Sequence, residues 1–298
     1  MTTSTATFDT LLADDRVEDI VLSPRGLSFF FAGRGWTGPV PSPMCERREL
    51  VPLARRIGEE AALTLGPTQP TCDAFLHWEG GGSFRAHVAI SPLVFDGPEI
   101  TLRRLPRFQF LELGRFAMAM EVGEKLRHAA ETGKSILISG STGSGKTSLL
   151  VALLKPVATH TRFLILEDSP EIPLPNELSA KLIARHNRFG FREGATWGLD
   201  ALVFESLRMR PDRLILGECR GPEAFAIACA LQTGHRGLMT TLHAGSVAGA
   251  MDRFDALANA HPQATAGAVN ARSLWDIVIH LELRDGQRHV RELWEREP

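Results

Sequence analysis

The run Gly140-Ser141-Thr142-Gly143-Ser144-Gly145-Lys146-Thr147 fits the pattern G-x-x-x-x-G-K-[ST]. Small residues at these positions let the backbone curl until successive N–H groups point at one anion. A helix opening near Thr147 and Ser148 adds the positive end of its dipole. In that geometry Lys146 reaches the β- and γ-phosphates of a nucleotide, and the Thr147 hydroxyl ligates Mg²⁺. The apolar run before the loop reads as a strand and Ser148-Leu149-Leu150-Val151 continues as a helix, the context this motif requires. Residues 140–148 are therefore the candidate phosphate-binding set.

A phosphate loop alone leaves open the use to which binding is put, and two acidic segments bear on that. Glu167-Asp168-Ser169-Pro170-Glu171 closes the strand after the loop's helix. In an open α/β sheet ligands bind at that strand edge, where carboxylates orient water or hold hydrated Mg²⁺. Taken alone, such a loop is more often a solvated turn. Leu214-Ile215-Leu216-Gly217-Glu218 ends a further apolar strand and would face Glu218 toward the γ-phosphate. Thr233 to Ala244 then carries His235 before a strand and His243 after it.

These groups need a scaffold, and 298 residues suggest two domains. The 44% apolar and 23% charged content is ordinary globular composition. Lys plus Arg is 33 against 35 Asp plus Glu, a net charge of −2, which excludes a binder relying on bulk positive charge. Cys45, Cys72, Cys219 and Cys229 form no C-x-x-C pair and read as free thiols in a reducing cytosol. Met1 to Asp9 lacks the basic region and apolar core of a secretory signal, and no apolar run is long enough to span a membrane. A soluble, cytoplasmic chain is expected.

The pattern divides near Pro106. Before it, Val17–Leu22 and Leu27–Phe31 read as a strand pair, Gly33 to Pro43 as a spacer, and Arg47–Leu65 as a helix. Ala74–Trp78 and Phe84–Ile90 read as a hairpin, and Ile100–Leu105 as one more strand. This is a small α+β domain over residues 1–105, followed by a linker at 106–117. From 118 to 298 strands alternate with helices, which argues a mostly parallel sheet covered on both faces. Ile277–Leu283 and His289–Trp294 read as a closing hairpin.

The phosphate loop, the acidic box at 167–171, the Walker B-like Leu214–Glu218 and the histidine box at 235–243 occur in one order. Leu207-Arg208-Met209-Arg210-Pro211-Asp212 and Gly217-Glu218-Cys219-Arg220-Gly221 accompany them. Together they resemble the type II/type IV secretion ATPase family, over about Asp14 to Trp294. Thr71–Ser91 and Pro98–Leu105 are similar to that family's N-domain hairpin and following strand. The tetracysteine zinc module of the general-secretion members is missing, so no zinc is expected; this favours the compact conjugation-type and Tad-pilus branches.

The resemblance implies an α/β, RecA-like P-loop ATPase domain preceded by a smaller α+β, PAS-like domain, using ATP and Mg²⁺. It implies Glu167, Asp168 and Glu171 as a water- and metal-orienting box, Glu218 as a catalytic carboxylate and His243 as a γ-phosphate sensor. Thr147, Glu171 and Glu218 would serve the metal directly or through water, with Glu171 and Glu218 both open as general base. Arg208, Arg210 and His235 would serve nucleotide binding, His235 from the subunit boundary or from just behind the site. Arg85 and Arg103 would neutralise phosphate charge; a one-residue slip would substitute Arg104, which strand alternation points to the opposite face. The implied assembly is a six-subunit ring on an inner-membrane platform of a secretion, conjugation or pilus machine, with no specific nucleic-acid binding. A nucleotide-gated scaffold, a nucleic-acid translocase and a small-molecule kinase are the rival readings. The charge of −3 over residues 1–105 counts against a strand-binding surface.

Overall fold

The computed structural model describes residues 7–31, 33–105, 112–157, 159–184, 197–265, 267 and 269–297. The chain forms two compact units that part near Pro106. Most of the expected linker, residues 106–111, lies outside the described residues.

The N-terminal unit contains α1 (Phe8–Ala13), β1 (Val17–Ser23), β2 (Gly26–Phe31), β3 (Gly35–Val40), α2 (Arg47–Glu60), β4 (Thr71–Trp78), β5 (Gly82–Ala89) and β6 (Glu99–Arg104). Its strands make one antiparallel sheet in the order β3-β2-β1-β6-β5-β4. Ile20, Leu22, Phe84, Ala86, Val88, Ile100 and Leu102 turn to one face and bury against Leu50, Leu53, Ala54 and Ile57 of α2.

Three local features differ from the sequence expectation. The stretch read as a spacer holds β3, an edge strand where Pro39 sacrifices no central ladder bond and Gly38 takes φ +109°. Helix α1 has no counterpart in the sequence reading; reciprocal Thr7 and Thr10 side-chain bonds to each other's backbone N–H start it. Helix α2 stops at Glu60 rather than Leu65. Ala62 takes φ +54°, and the N–H groups of Ala62 and Leu63 close back on the carbonyls of Glu59 (2.9 Å) and Gly58 (2.8 Å), a Schellman ending.

The alternation at Arg103 and Arg104 separates their roles. Arg104 lies on the core side, 8% exposed, above the Phe84 ring at 4.6 Å. Its guanidinium donates to the carbonyls of Val17 (2.8 Å), Gly81 (2.7 Å), Leu11 (3.0 Å), Leu12 (2.9 Å) and Asp14 (3.1 Å). It ties α1 and the β4–β5 turn to β1. Arg103 is 71% exposed on the opposite face and pairs with Asp19 at 2.9 Å. Arg104→Ala should cost about 3 kcal/mol, because several carbonyls lose a buried charged donor together. Arg103→Ala should cost less, about 1–2 kcal/mol, because its guanidinium is exposed although the Asp19 carboxylate it leaves behind is buried. Urea unfolding of both variants checks the contrast.

The C-terminal unit contains α3 (Met120–Glu131), β7 (Ile136–Gly140), α4 (Lys146–Leu154), β8 (Phe163–Glu167), β9 (Ala180–Ile183), α5 (Leu199–Ser206), β10 (Arg213–Leu216) and α6 (Glu223–Gln232). It continues with β11 (Met239–Leu242), α7 (Val247–Asn259), α8 (Ala271–Leu274), β12 (Ile277–Arg284) and β13 (Gln287–Glu295). The strand read over Lys181–Arg185 is β9, which ends at Ile183; residue 185 lies outside the described residues. The sheet order is β13-β12-β7-β11-β10-β8-β9, parallel except for the β12–β13 hairpin. All residues of β7, β8 and β11 are buried, as a parallel sheet covered on both sides demands. Helices α3 and α4 cover one face, and α5, α6 and α7 the other. This is the RecA-like arrangement, with one strand set between the P-loop strand β7 and the Glu218 strand β10.

Candidate nucleotide-binding and hydrolytic site

Because β7, β11, β10 and β8 run parallel, their C-terminal ends share one edge. The P-loop follows β7, His243 follows β11, Glu218 follows β10, and the 167–171 box follows β8. Thr142, Gly143, Lys146, Thr147, Glu167, Asp168, Glu171, Glu218, Arg220 and His243 line one cavity of about 270 Å³ there.

The loop's glycines hold conformations other residues resist. Gly143 has φ +77° and Gly145, which opens α4, has φ +94°. A Cβ on Gly140 would stand 2.4 Å from Ser144 Oγ and 2.6 Å from the Leu281 carbonyl. Ser144 is therefore packed beneath the loop, away from the cavity. Ser141 contributes its carbonyl to Lys146.

Lys146 is almost wholly buried, and fixed dipoles receive its protons. Nζ donates to the carbonyls of Gly140 (3.1 Å) and Ser141 (2.9 Å) and to Nδ1 of His243 (3.3 Å). His243 Nε2 lies 3.2 Å from Glu218 Oε1. An ammonium only donates, so Nδ1 accepts and Nε2–H points at the carboxylate. The three side chains thus form a directed chain, Lys146 to His243 to Glu218. Loss of water pulls the Lys146 pKa below the ordinary lysine value, and the charge of Glu218 works against that.

The acidic box divides into distinct jobs. Glu167 is buried, and its Oε1 accepts the N–H groups of Glu171 (3.0 Å) and Ile172 (2.8 Å). Its Oε2 makes no well-directed hydrogen bond, but Lys181 Nζ stands 3.3 Å away. Burial raises the Glu167 carboxyl above its usual range, with Lys181 and the two amides opposing. Glu167 shapes the loop more than it faces a ligand. Asp168 pairs with Arg220 at the rim. Glu171 is still reached by solvent, yet its setting in the acidic recess raises its carboxyl through reduced hydration first and Glu218 second.

Thr147, Asp168, Glu171 and Glu218 offer hard oxygen donors to one cavity. Among the described residues no three His, Cys, Asp or Glu side chains are grouped to hold a metal by themselves. That donor set fits Mg²⁺, which takes one or two protein oxygens and completes its shell with phosphate and water.

Three sequence candidates lie elsewhere. Arg208 and Arg210 precede β10, and His235 precedes β11, so all three stand at the sheet edge opposite the P-loop. Arg208 Nη1 pairs with Glu205 at 3.1 Å, Arg210 takes φ +54°, and His235 Nδ1 meets Thr233 Oγ1 at 3.3 Å. The structure thus does not bring them to the P-loop of the same chain. Arg85 and Arg103 belong to the N-terminal unit, directly opposite each other across β5 and β6. Like charges in register repel, and each is offset by its own acid, Asp73 at 3.5 Å and Asp19 at 2.9 Å. Sequence reading missed Arg220 and Lys181 as partners of the acidic box. Their contacts join separate strands and leave no local pattern.

The strand order, the loop and the carboxylates around it define a P-loop nucleotide-binding domain. Residues 76–286 match the family model described as "Type II/IV secretion system protein". The chain belongs to the type II/IV secretion system protein family. It is 36% identical over 187 residues to the type IV secretion system protein PtlH of Bordetella pertussis, covering 58% of this chain and 53% of that protein. It is 30% identical over 221 residues to the conjugal transfer protein TrbB of Rhizobium radiobacter, covering 72% and 64%. The match thus spans between half and two thirds of each relative. The fold is similar to the ATPase DotB of Legionella pneumophila, with a TM-score of 0.66, 21% identity, and coverage of 97% of this chain and 78% of that one.

Nucleotide binding should draw on the charge of Lys146, so affinity should fall as pH rises through the free protein's lysine pKa. Glu218→Gln removes the carboxylate that raises that pKa, and the fall should then begin at lower pH. Equilibrium ADP binding of both proteins from pH ~7 to ~10 checks this sign; the lysine reference value is about 10.4. Coincident profiles would refute the coupling.

Proposed function

We propose that this chain is an ATPase that couples hydrolysis of ATP to macromolecular transport, as a subunit of a secretion, conjugation or pilus-assembly motor. The observation that carries the reading is the Lys146–His243–Glu218 chain sharing one cavity with Thr147 and Glu171. Positioned charge, rather than covalent chemistry, is what phosphoryl transfer asks of a protein. The backbone N–H groups of the loop and Lys146 would hold the β- and γ-phosphates. Mg²⁺ bound near Thr147 would supply charge neutralisation between them. Glu218, held by His243 Nε2–H, would orient the attacking water and receive its proton, while His243 would register loss of the γ-phosphate. Glu171 is a second candidate for the base, since a carboxyl raised above its usual range accepts a proton more readily.

Arg85 and Arg103, a matched pair of guanidinium groups on one sheet face, would neutralise charge on the γ-phosphate, from the same subunit or a neighbour. Work on a cargo calls for several subunits acting in turn, and a six-membered ring against an inner-membrane platform suits the family. The location would be the cytoplasmic face of that membrane. Among the described residues no helix is long and apolar enough to cross a membrane, so a membrane-bound partner would supply the attachment.

ATP turnover of wild type, Glu218→Gln, Glu171→Gln and Lys146→Ala, with mass in solution recorded with and without ATP, tests the reading. Wild type should hydrolyse ATP slowly and show a six-subunit mass with nucleotide. Lys146→Ala should lose binding. Glu218→Gln should bind normally and lose at least about a hundredfold in turnover, the low end for a positioned general base. If Glu171→Gln shows the larger loss, the roles exchange. Normal cargo function with Glu218→Gln would instead establish the nucleotide-gated scaffold.

A further inference from the structure

The wall of the P-loop away from the acidic residues is built by the C-terminal hairpin. A Cβ placed on Gly145 would stand 2.3 Å from Cδ of Arg288 and 2.5 Å from its Nε. The Arg288 side chain therefore lies directly on the residue that opens α4. Its root is fixed: the Arg288 carbonyl accepts the N–H of Ala117 at 2.7 Å, and Leu283 stands opposite it across the hairpin. Its Nε is buried and has no hydrogen-bond partner. Among the described residues no carboxylate pairs with its guanidinium.

A buried arginine Nε–H is ordinarily paired, because an unsatisfied donor on a charged group is costly. This one is set beside the N–H groups of a helix start, which attract an anion rather than a cation. What both features lack is negative charge in the same place. We propose that Arg288 is a nucleotide-binding residue whose guanidinium contacts the phosphate chain from the hairpin side of the loop. The inference rests on the nucleotide-binding reading above and adds to it a residue from the end of the chain. Arg288 is not among the residues lining the cavity with Glu218, Glu171 and His243. Because its side chain lies on Gly145, where α4 opens, the phosphates it would reach are those that ADP and ATP share, with the γ-phosphate left to the acidic side. A side chain on Gly145 would meet the arginine, besides resisting the φ of +94°.

Equilibrium binding of fluorescent ADP and ATP, each at low and high salt, separates this role from packing. Arg288→Met keeps an unbranched chain over Gly145 and removes the charge. It should weaken ADP and ATP by the same factor, about tenfold, and flatten the salt dependence. Arg288→Lys should retain most of the affinity. Melting temperatures without nucleotide accompany each variant; if Arg288→Met does not fold, Arg288→Gln against Arg288→Lys makes the same comparison. Met binding both nucleotides as wild type does would overturn the proposal in favour of packing alone. Weakening confined to ATP would overturn the placement. Wild type that binds neither nucleotide would overturn the underlying reading instead, a result the variants cannot mimic.

Discussion

A lysine ammonium withdrawn from water must find fixed dipoles for its protons, and the layout of the C-terminal unit is set by where they are. The loop carbonyls of Gly140 and Ser141 take two, and His243 takes the third. That last contact exists because β11 is inserted between β7 and β10. With the strands in any other order, the histidine after β11 would not stand between the amine and Glu218. The parallel sheet, buried on both faces, is thus the frame on which a charge, an imidazole and a carboxylate are set in line.

The same strand edge gives the neighbouring box its division of labour. Glu167, at the end of β8, folds its loop by accepting two of its own backbone amides. That closure leaves Glu171 in the recess with Glu218 and leaves Asp168 at the rim with Arg220. One carboxylate builds the loop, and another takes on the strain of standing near a like charge. Reduced hydration first, and that proximity second, raise the basicity of Glu171, which solvent still reaches.

The sequence was informative where function is encoded locally and silent where it depends on strand neighbours. The P-loop could be read because backbone curvature, anion cradle and lysine all lie within eight residues. Glu218 and His243 could be read as strand-end residues, whereas the tautomer of His243 could not, since it depends on Lys146 beyond another strand. Arg208, Arg210 and His235 show the converse: they sit close in sequence to Glu218 and His243 but at the opposite end of their strands, which sequence spacing alone does not reveal. β3 was hidden by Gly35, Gly38 and Pro39, residues that argue against a strand unless the edge of a sheet is waiting for it. Arg104 gave no hint of its many carbonyl partners, which come from segments far apart in the chain.

The pairing of β12 with β13 slips by one residue, so that Leu281 faces Val290 while His280 faces Glu292, and Arg291 has no opposite number. Arg288 and Glu292 are four apart and would share a face in a regular strand. The extra residue reverses the phase between them. Arg288 accordingly lies toward α4, and Glu292 on the other face accepts the Val247 N–H at 2.9 Å, where α7 begins. One bulge lets a single strand bring opposite charges to the starts of two helices on opposite sides of the sheet. The spare residue is therefore a phase-shifter, and deleting it would restore the regular ladder at the expense of one of these two appointments.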